Sequence, residues 1–382
     1  MALQGDEGMQ QGHLLGRVLL RFGEGKAADD TVSQLSAAVF DAKGGLWLAG
    51  DELEEGRVTL SRLQPEGPGG YGNRQRFELR DFIDLPASGE DEDEADIEGL
   101  DVAGPYLWFT GSHSSKRSQP KGKDPSKDVE RLARVTVEAN RFLLGRVPLT
   151  GGRLARSAPD PDRPDRPLAA ARLADGDGGN ALVEALRGDA HLGPFLQTVH
   201  GNAVLPLAGK ENGFDIEGLA VMDRRLYLGL RGPVLRGWAM LLEIEPQDTA
   251  PGRLGLARLD DKDRRYRKHF LKLDGLGIRE LAADGDDLLI LAGPTMMLRG
   301  QMRVYRLRNV ASLAADSLTP AGDARLVPLF DLPTVADGDN AEGFTRYDQA
   351  GGPGLLVVYD TPAAERRPAP GEVFADVFRL QE

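Results

Sequence analysis

A repeat with a period of about 62 residues is the feature that most constrains the fold of this chain. Five segments each contain an apolar run, a short polar turn and a second apolar run: 33–53, 96–113, 215–233, 277–294 and 340–362. At the third position of the shared motif stand Ser36, Glu98, Glu217, Arg279 and Glu342, which are separated by 62, 119, 62 and 63 residues. A spacing held this closely indicates repeated supersecondary units.

The first, third and fourth repeats each continue with two more strand-like runs. In the third repeat these are residues 240–244 and 269–273, and in the fourth they are 302–307 and 326–332. Four alternating strands joined by turns predict a four-stranded antiparallel unit, which is the blade of a β-propeller. The sequence therefore predicts an all-β protein in which residues 1–382 form a single β-propeller domain.

The last repeat contains only three strands, the third of them at residues 373–380. Residues 14–22, near the other end of the chain, have the apolar alternation of a strand. Pairing these two segments would complete the last blade and remove two open sheet edges. We therefore predict that the N-terminal strand closes the last blade.

The interval of 119 residues between the second and third motifs exceeds one period by about 57 residues. It contains a Pro-rich and Arg-rich loop at 157–167, followed by a helical pattern over Asn180–Leu196 that Asn180 can cap. The favoured prediction is five blades with an irregular and helical insertion at 140–210. Because the excess is close to a full period, six blades, one of them degenerate, is the alternative.

The composition excludes several classes of function. The net charge of −13 disfavours nucleic acid and anionic membrane surfaces as partners. The chain has no cysteine, so it contains no disulfide, thiolate metal site or cysteine nucleophile. It has neither a signal-like apolar segment near its start nor an apolar run of 18 residues. We expect a soluble, cytoplasmic protein.

Polar residues of the repeats are expected to meet at one end of the propeller. In an antiparallel blade, the start of the first strand and the end of the second lie at the same end of the sheet. The predicted ligand-binding residues at this channel mouth are Asp51, Arg231, Arg279 and Asp360. The predicted ligand is small and polar or anionic.

Three glutamates at equivalent places around one axis would repel one another without a counter-charge. Glu98, Glu217 and Glu342 are therefore candidate ligands for Ca²⁺ or Mg²⁺, with the guanidinium of Arg279 as the alternative counter-charge. Backbone amides of the neighbouring blade are a third set of partners for these glutamates. Glu98, Glu217 and His113 are the candidate catalytic residues, and no organic cofactor is expected.

Four segments of the chain are similar to those of one family: the repeated DIEGL, KENGFDIEGLAV (210–221), GIREL (277–281) and LVEALRGDAHLGPFL (182–196). Through these segments the chain resembles a bacterial family known only as a domain of unknown function, number 3616. The DIEGL strand is also similar to that of phytase-like and esterase-like propellers, which implies metal and phosphoester chemistry at acidic residues. Ser36 and Arg279 depart from that pattern.

Two functions follow from these expectations. One is a metal-dependent hydrolase of phosphoesters or esters, which would use the carboxylates at the channel mouth. The other is a non-catalytic propeller that binds a protein or a small ligand on the same face. Propellers serve both purposes, so the fold does not decide between them.

Overall fold

The strands pair into five antiparallel groups of four, which we call sheets I to V. The computed structural model describes residues 10–67, 69–89, 92–196, 207–298, 300–333, 339–348 and 352–380. Sheet I contains Leu35–Phe40, Leu46–Gly50, Thr59–Pro65 and Gly70–Glu78; sheet II contains Ile97–Ala103, Tyr106–Gly111, Leu144–Thr150 and Ala171–Leu173; sheet III contains Asp215–Met222, Arg225–Gly232, Ala239–Ile244 and Tyr266–Leu271; sheet IV contains Gly277–Asp284, Asp287–Gly293, Arg303–Leu307 and Leu326–Asp331; sheet V contains Asn340–Arg346, Gly354–Asp360, Glu372–Arg379 and Leu14–Arg21.

The first strands of the sheets form the centre of the molecule. The first strand of each sheet contacts the first strand of the next, and the first strand of sheet V contacts that of sheet I. An apolar cluster fills the space between each pair of neighbouring sheets. Leu219 and Trp108, for example, share the cluster between sheets II and III. This arrangement confirms the prediction of an all-β, propeller-like fold.

The N-terminal strand completes sheet V, as predicted. Leu14–Arg21 pairs antiparallel with Glu372–Arg379, with Val18 opposite Ala375. The same strand also makes a short parallel pairing with sheet I, in which Leu20 lies opposite Tyr71. The two pairings join sheets V and I edge to edge, so this strand has a partner on both sides.

The predicted helix over Asn180–Leu196 is wrong as a single element. The structure has two short helices, Ala181–Leu186 and Gly193–Leu196. The Asn180 side chain caps the first helix, as predicted, by accepting hydrogen bonds from the amides of Leu182 and Val183. Asp189 then accepts from two amides of a turn, which ends the helical path.

The predicted insertion at 140–210 also contains the third and fourth strands of sheet II, Leu144–Thr150 and Ala171–Leu173. Residues 197–206 lie outside the described part of the chain. Further strands extend two sheets: Pro246–Ala250 and Arg253–Leu256 extend sheet II, and Ser317–Thr319 extends sheet III. Three pairs of two-residue strands lie outside the main sheets: 116–117 with 135–136, 157–158 with 168–169, and 175–176 with 179–180. A further two-residue strand, 153–154, pairs with the end of the strand Leu144–Thr150.

The remaining helices lie in the connections between strands. They are the α-helices Lys26–Thr31 and Pro125–Leu132, and the 3₁₀ helices Leu79–Asp81, Ala139–Phe142, Val310–Ser312 and Ala364–Arg366. Within the described ranges, no helix has the length and apolar character needed to cross a membrane.

Candidate functional site

The third residue of every repeat motif is the extra residue of a β-bulge. In the first strand of each sheet, the pairing with the second strand skips one residue. The five skipped residues are Ser36, Glu98, Glu217, Arg279 and Glu342. A bulge takes a residue out of the regular alternation and changes the direction of its side chain. The repeat therefore places five side chains at equivalent points around the centre.

The glycine that follows the motif glutamate allows the central strands to approach closely. A Cβ atom at Gly218 would lie 2.8 Å from Cγ of Leu281 and 3.0 Å from its backbone nitrogen in sheet IV. A Cβ at Gly99 would lie 2.6 Å from Cβ of Leu219 in sheet III. These distances leave no room for a larger residue, which explains the Glu-Gly pair of the motif.

Arg279 is the counter-charge for two of the three motif glutamates. Its Nε lies 2.8 Å from Oε2 of Glu217, and its Nη2 pairs with Glu342. The second oxygen of Glu217 accepts a hydrogen bond of 2.7 Å from Nη1 of Arg231. Arg279 and Glu217 are both buried. The guanidinium of Arg279, which the sequence offers as the alternative counter-charge, thus lies beside two of the three motif glutamates.

Glu98 has a different environment from the other two glutamates. It is 7% exposed and has no ion pair among the described residues. Burial raises the pKa of Glu98 well above its usual range, and the nearby carboxylates of Asp96 and Glu217 raise it further. Burial therefore favours the protonated form of Glu98.

Asp215 and Asp51 share this environment. Asp215 is 3% exposed, and one of its carboxylate oxygens is buried without a hydrogen-bond partner in the described chain. Burial raises the pKa of Asp215, and the carboxylate of Glu217 adds to the effect. Burial and the carboxylate of Asp96 likewise raise the pKa of Asp51. Neither carboxyl group, like that of Glu98, has an ion pair in the described part of the chain, although the charge of Lys210 acts on Asp51 and those of Arg231 and Arg141 act on Asp215.

Two adjoining cavities open at this end. One, of about 440 Å³, is lined by Asp51, Glu98 and Asp215 among others. The other, of about 350 Å³, is lined by Arg231, Arg279, Glu342 and Asp360. The cavities have Lys210 and Met297 in common. The structure therefore brings the predicted ligand-binding residues to one mouth but distributes them over two cavities.

Lys210 and Arg141 belong to this site and were not predicted from the sequence. Desolvation acts to lower the pKa of Lys210, but the charges of Glu98, Asp96 and Glu342 outweigh it and the pKa is raised. Arg141 lies in the 3₁₀ turn Ala139–Phe142 and pairs with Asp96 at 2.5 Å. Neither residue occupies a position of the repeat, so the period gave no signal for them.

The bonds to backbone amides considered for the motif glutamates are made instead by Asp101 and Glu280. Asp101 accepts from the amide of Val221 at 2.6 Å, and Glu280 accepts from that of Leu219 at 3.3 Å. Both bonds join neighbouring sheets. Burial raises the pKa of Asp101 to about 6. Asp101 and Glu280 therefore stabilise the contacts between neighbouring sheets. The side chains of the bulge residues do not make these bonds and are available at the channel mouth.

His113, a predicted catalytic residue, lines neither cavity at the mouth. Its Nδ1 lies 2.8 Å from the carbonyl oxygen of Gly111, and its Nε2 lies 2.8 Å from Nδ2 of Asn180. Burial lowers the pKa of His113 to about 4, so the ring is neutral at pH 7 and uses both nitrogens. These contacts attach the capped helix Ala181–Leu186 to sheet II, which is a structural role.

The three motif glutamates do not fit a cation site that they would share. In the described ranges, no group of three or more histidine, aspartate or glutamate side chains has the arrangement of a metal site. The guanidinium of Arg279 lies where a cation between Glu217 and Glu342 would be expected. The repulsion expected from the sequence is thus compensated, for Glu217 and Glu342, by the positive charge of Arg279.

Comparison with known proteins supports the family assignment. The profile of a family described as "Protein of unknown function (DUF3616)" matches residues 34–376. The chain belongs to this family. The match confirms the resemblance seen in the sequence, and DUF3616 has no activity attached to its description. A search among curated proteins gave no match.

Solved structures give only distant similarities to this DUF3616 chain. A Bombyx mori GH32 β-fructofuranosidase is 11% identical with a TM-score of 0.35, over 92% of this chain and 63% of that one. The chain thus spans less than two thirds of the fructofuranosidase. A glucose dehydrogenase is 12% identical with a TM-score of 0.31, over 92% and 83%. Kluyveromyces lactis Hsv2 is 7% identical with a TM-score of 0.26, over 86% and 90%.

Proposed function

We propose that this protein is a five-bladed propeller that binds a small ligand with a positively charged nitrogen at its channel mouth. Sheets I to V are the five blades in this proposal, because their first strands contact one another in a closed cycle. The helical insertion then belongs to the connection between sheets II and III. Binding, without a chemical step, is the function that the residues at the mouth support best.

The observation that carries the proposal is the excess of carboxylates at the mouth. Ten acidic side chains line the two cavities, against six basic ones. The acids are Asp51, Glu52, Glu94, Asp96, Glu98, Glu211, Asp215, Asp339, Glu342 and Asp360, and the bases are Lys116, Arg117, Arg141, Lys210, Arg231 and Arg279. Glu98 and Asp215 are each more than nine-tenths buried and line the larger cavity without an ion pair in the described chain. Their environment suits a positive charge.

A ligand ammonium group would change the charge state of these acids. Without a ligand, burial favours the protonated forms of Glu98 and Asp215 over their charged forms. An ammonium group next to them favours the ionised forms and gains charge-assisted hydrogen bonds. Binding would therefore release protons into solution, and the affinity would rise with pH.

The rim of the mouth suits the aliphatic part of such a ligand. Met297 is 65% exposed and lines both cavities, and Met296 and Leu298 are exposed beside it. Methionine adapts its unbranched side chain to different apolar shapes. An amine with a short aliphatic chain would place its charge among the carboxylates and its methylene groups against this rim.

The metal-dependent hydrolase remains the competing proposal, with Ca²⁺ or Mg²⁺ in place of the ammonium group. It has less support because Arg279 already pairs with Glu217 and Glu342. Both proposals use Glu98, so one experiment can compare them.

The test is a calorimetric titration of the full chain with four probes: putrescine, its diol analogue with hydroxyl groups in place of both amines, CaCl₂ and MgCl₂. We expect putrescine to bind and the diol not to bind, because only the diamine carries positive charge. Glu98→Gln should weaken putrescine binding by at least about tenfold, the loss of one charge-assisted contact.

Glu130→Gln is the matched control, because Glu130 is an exposed acid on the helix Pro125–Leu132 and lies outside both cavities. It should leave the affinity unchanged. Binding of Ca²⁺ or Mg²⁺ that depends on Glu98, without binding of putrescine, would favour the hydrolase. Equal binding of diol and diamine would overturn the proposed role of the carboxylates.

A further inference from the structure

We propose that a second cavity, on the face of the ring opposite the mouth, binds a small organic anion of about nucleotide size. The cavity lies between sheets II and III, where turns at 103–106 and 222–225 join their first and second strands. The mouth is at the other end of these strands. The volume of the second cavity, about 1020 Å³, lies at the upper end of the range for small-molecule sites. This inference does not depend on the function proposed for the mouth.

Aromatic side chains and an arginine form one wall of this opposite-face cavity. Tyr106 and Trp108 lie on the second strand of sheet II, and Arg146 is paired with Trp108 from the third strand. The guanidinium carbon of Arg146 lies 4.4 Å from the ring centre of Tyr106 and 5.5 Å from that of Trp108. Stacking on two rings holds this guanidinium in place and orients its N–H groups.

A hairpin from sheet III closes another side of the cavity. Its strands, Pro246–Ala250 and Arg253–Leu256, reach sheet II and extend it. Asp248 on this hairpin accepts from Nη2 of Arg146 at 2.6 Å and from Nη2 of Arg166 at 2.9 Å. The hairpin is thus anchored to the arginines, and the cavity is a built feature of both sheets.

Three arginines at the edge of the cavity make fewer hydrogen bonds to the protein than their N–H donors allow. Arg163 and Arg166 come from the Pro-rich loop at 157–167, and Arg224 comes from a turn of sheet III. Their side chains are 62%, 60% and 83% exposed. Each has a carboxylate partner, on Asp160, Asp248 and Glu245 respectively, but a guanidinium has five donors.

The charge of the lining points to an anion. Four arginines and two aspartates line the cavity, so the lining itself has a net charge of +2, while Asp160 and Glu245 pair with two of these arginines from outside the lining. Guanidinium groups bind phosphate and carboxylate oxygens in pairs of parallel hydrogen bonds. The rest of the lining includes Pro105, Tyr106, Val221, Leu226 and Pro251, against which an apolar or ring-shaped body would pack. The ligand class is therefore an organic phosphate or carboxylate with a ring.

The experiment is a calorimetric titration of the full chain with AMP, adenosine and inorganic phosphate. We expect AMP to bind more tightly than either fragment, because it has both the anion and the ring. The Arg163→Met, Arg166→Met double variant should weaken AMP binding by at least about tenfold, through the loss of charge-assisted contacts. Both residues are exposed, so the variant should fold.

Arg308→Met is the matched control, because Arg308 is an exposed arginine outside the cavity. It should leave AMP binding unchanged. Failure of AMP to bind at millimolar concentration would overturn the proposal. Equal affinities for AMP and adenosine would refute the role of the arginines, and equal affinities for AMP and phosphate would refute the role of the apolar wall. A Glu98→Gln variant should bind AMP normally, which separates this site from the mouth.

Discussion

The ion pairs of Arg279 at the centre of the ring give a prediction of large magnitude. Arg279→Met removes the positive charge shared by Glu217 and Glu342 but keeps most of the apolar volume. The side chains of Arg279 and Glu217 are only 6% and 2% exposed, so solvent cannot replace the lost partner. The change leaves Glu217 with Arg231 alone and Glu342 with no ion pair among the described residues, and we expect the free energy of unfolding to fall by about 3–5 kcal/mol.

Equilibrium unfolding in urea measures this loss, and a double-mutant cycle separates the ion pair from other effects. Glu217→Gln in the Arg279→Met background should cost less than it does in the wild type, with a coupling free energy of about 0.5–3 kcal/mol. Arg187→Met is the control, since Arg187 pairs with Asp177 at the surface and its loss should cost less than about 1 kcal/mol. A loss for Arg279→Met no larger than the control, or a coupling near zero, would refute this account of the centre.

Two further predictions test the packing of the ring and the role of His113. Gly218→Ala should destabilise the protein by about 1–3 kcal/mol in urea unfolding, because its Cβ would lie 2.8 Å from Leu281. Gly16→Ala is the control, and it should be neutral or slightly stabilising because there is open space around Gly16. Similar costs at both sites would contradict the close approach of the central strands. The pKa of His113 is lowered from 6.5 to about 4 by burial, so the unfolded state binds the proton first, and stability should fall by up to about 3 kcal/mol as pH drops through this window. His113→Gln should remove this part of the pH dependence, and an unchanged dependence would show that His113 is not its source.

Much of the fold followed from the sequence because the repeat carried it. The motif residues keep a period of about 62, so their equivalence around a centre could be inferred without coordinates. The pairing of Leu14–Arg21 with the last repeat followed from counting strands and from the cost of an open edge. The broken helix after Asn180 did not follow, since its end depends on the turn that Asp189 stabilises.

The site was less accessible to sequence reasoning for a physical reason. The sequence identified Glu98, Glu217, Arg279 and Glu342 as residues at one end, but not which carboxylate would pair with arginine. The pairing depends on whether the side chain of Arg279 extends far enough to contact Glu217 and Glu342, the bulge residues of the two neighbouring sheets. The spacing of the motif does not contain this information. Lys210 lies outside the repeat positions, so the period could not reveal it.

The different roles of neighbouring acidic residues could not be inferred from the sequence either. Asp101 and Glu280 lie within three residues of the motif position and bind backbone amides across the ring, while the bulge residues form ion pairs or remain unpaired. In the sequence alone, all of these are acids near the start of an apolar strand. Only the bulge, which skips one residue in each pairing, separates the two groups.

The most direct test of the proposed ligand site is the number of protons released when putrescine binds. The same titration at pH 7 in two buffers with different ionisation enthalpies gives this number. We expect proton release, since burial favours the protonated forms of Glu98 and Asp215 and a ligand ammonium group beside them favours the ionised forms. Glu98→Gln should reduce the number released and weaken binding. Binding without proton release, or release that is unchanged in Glu98→Gln, would contradict the claim that these buried carboxyl groups receive the ligand.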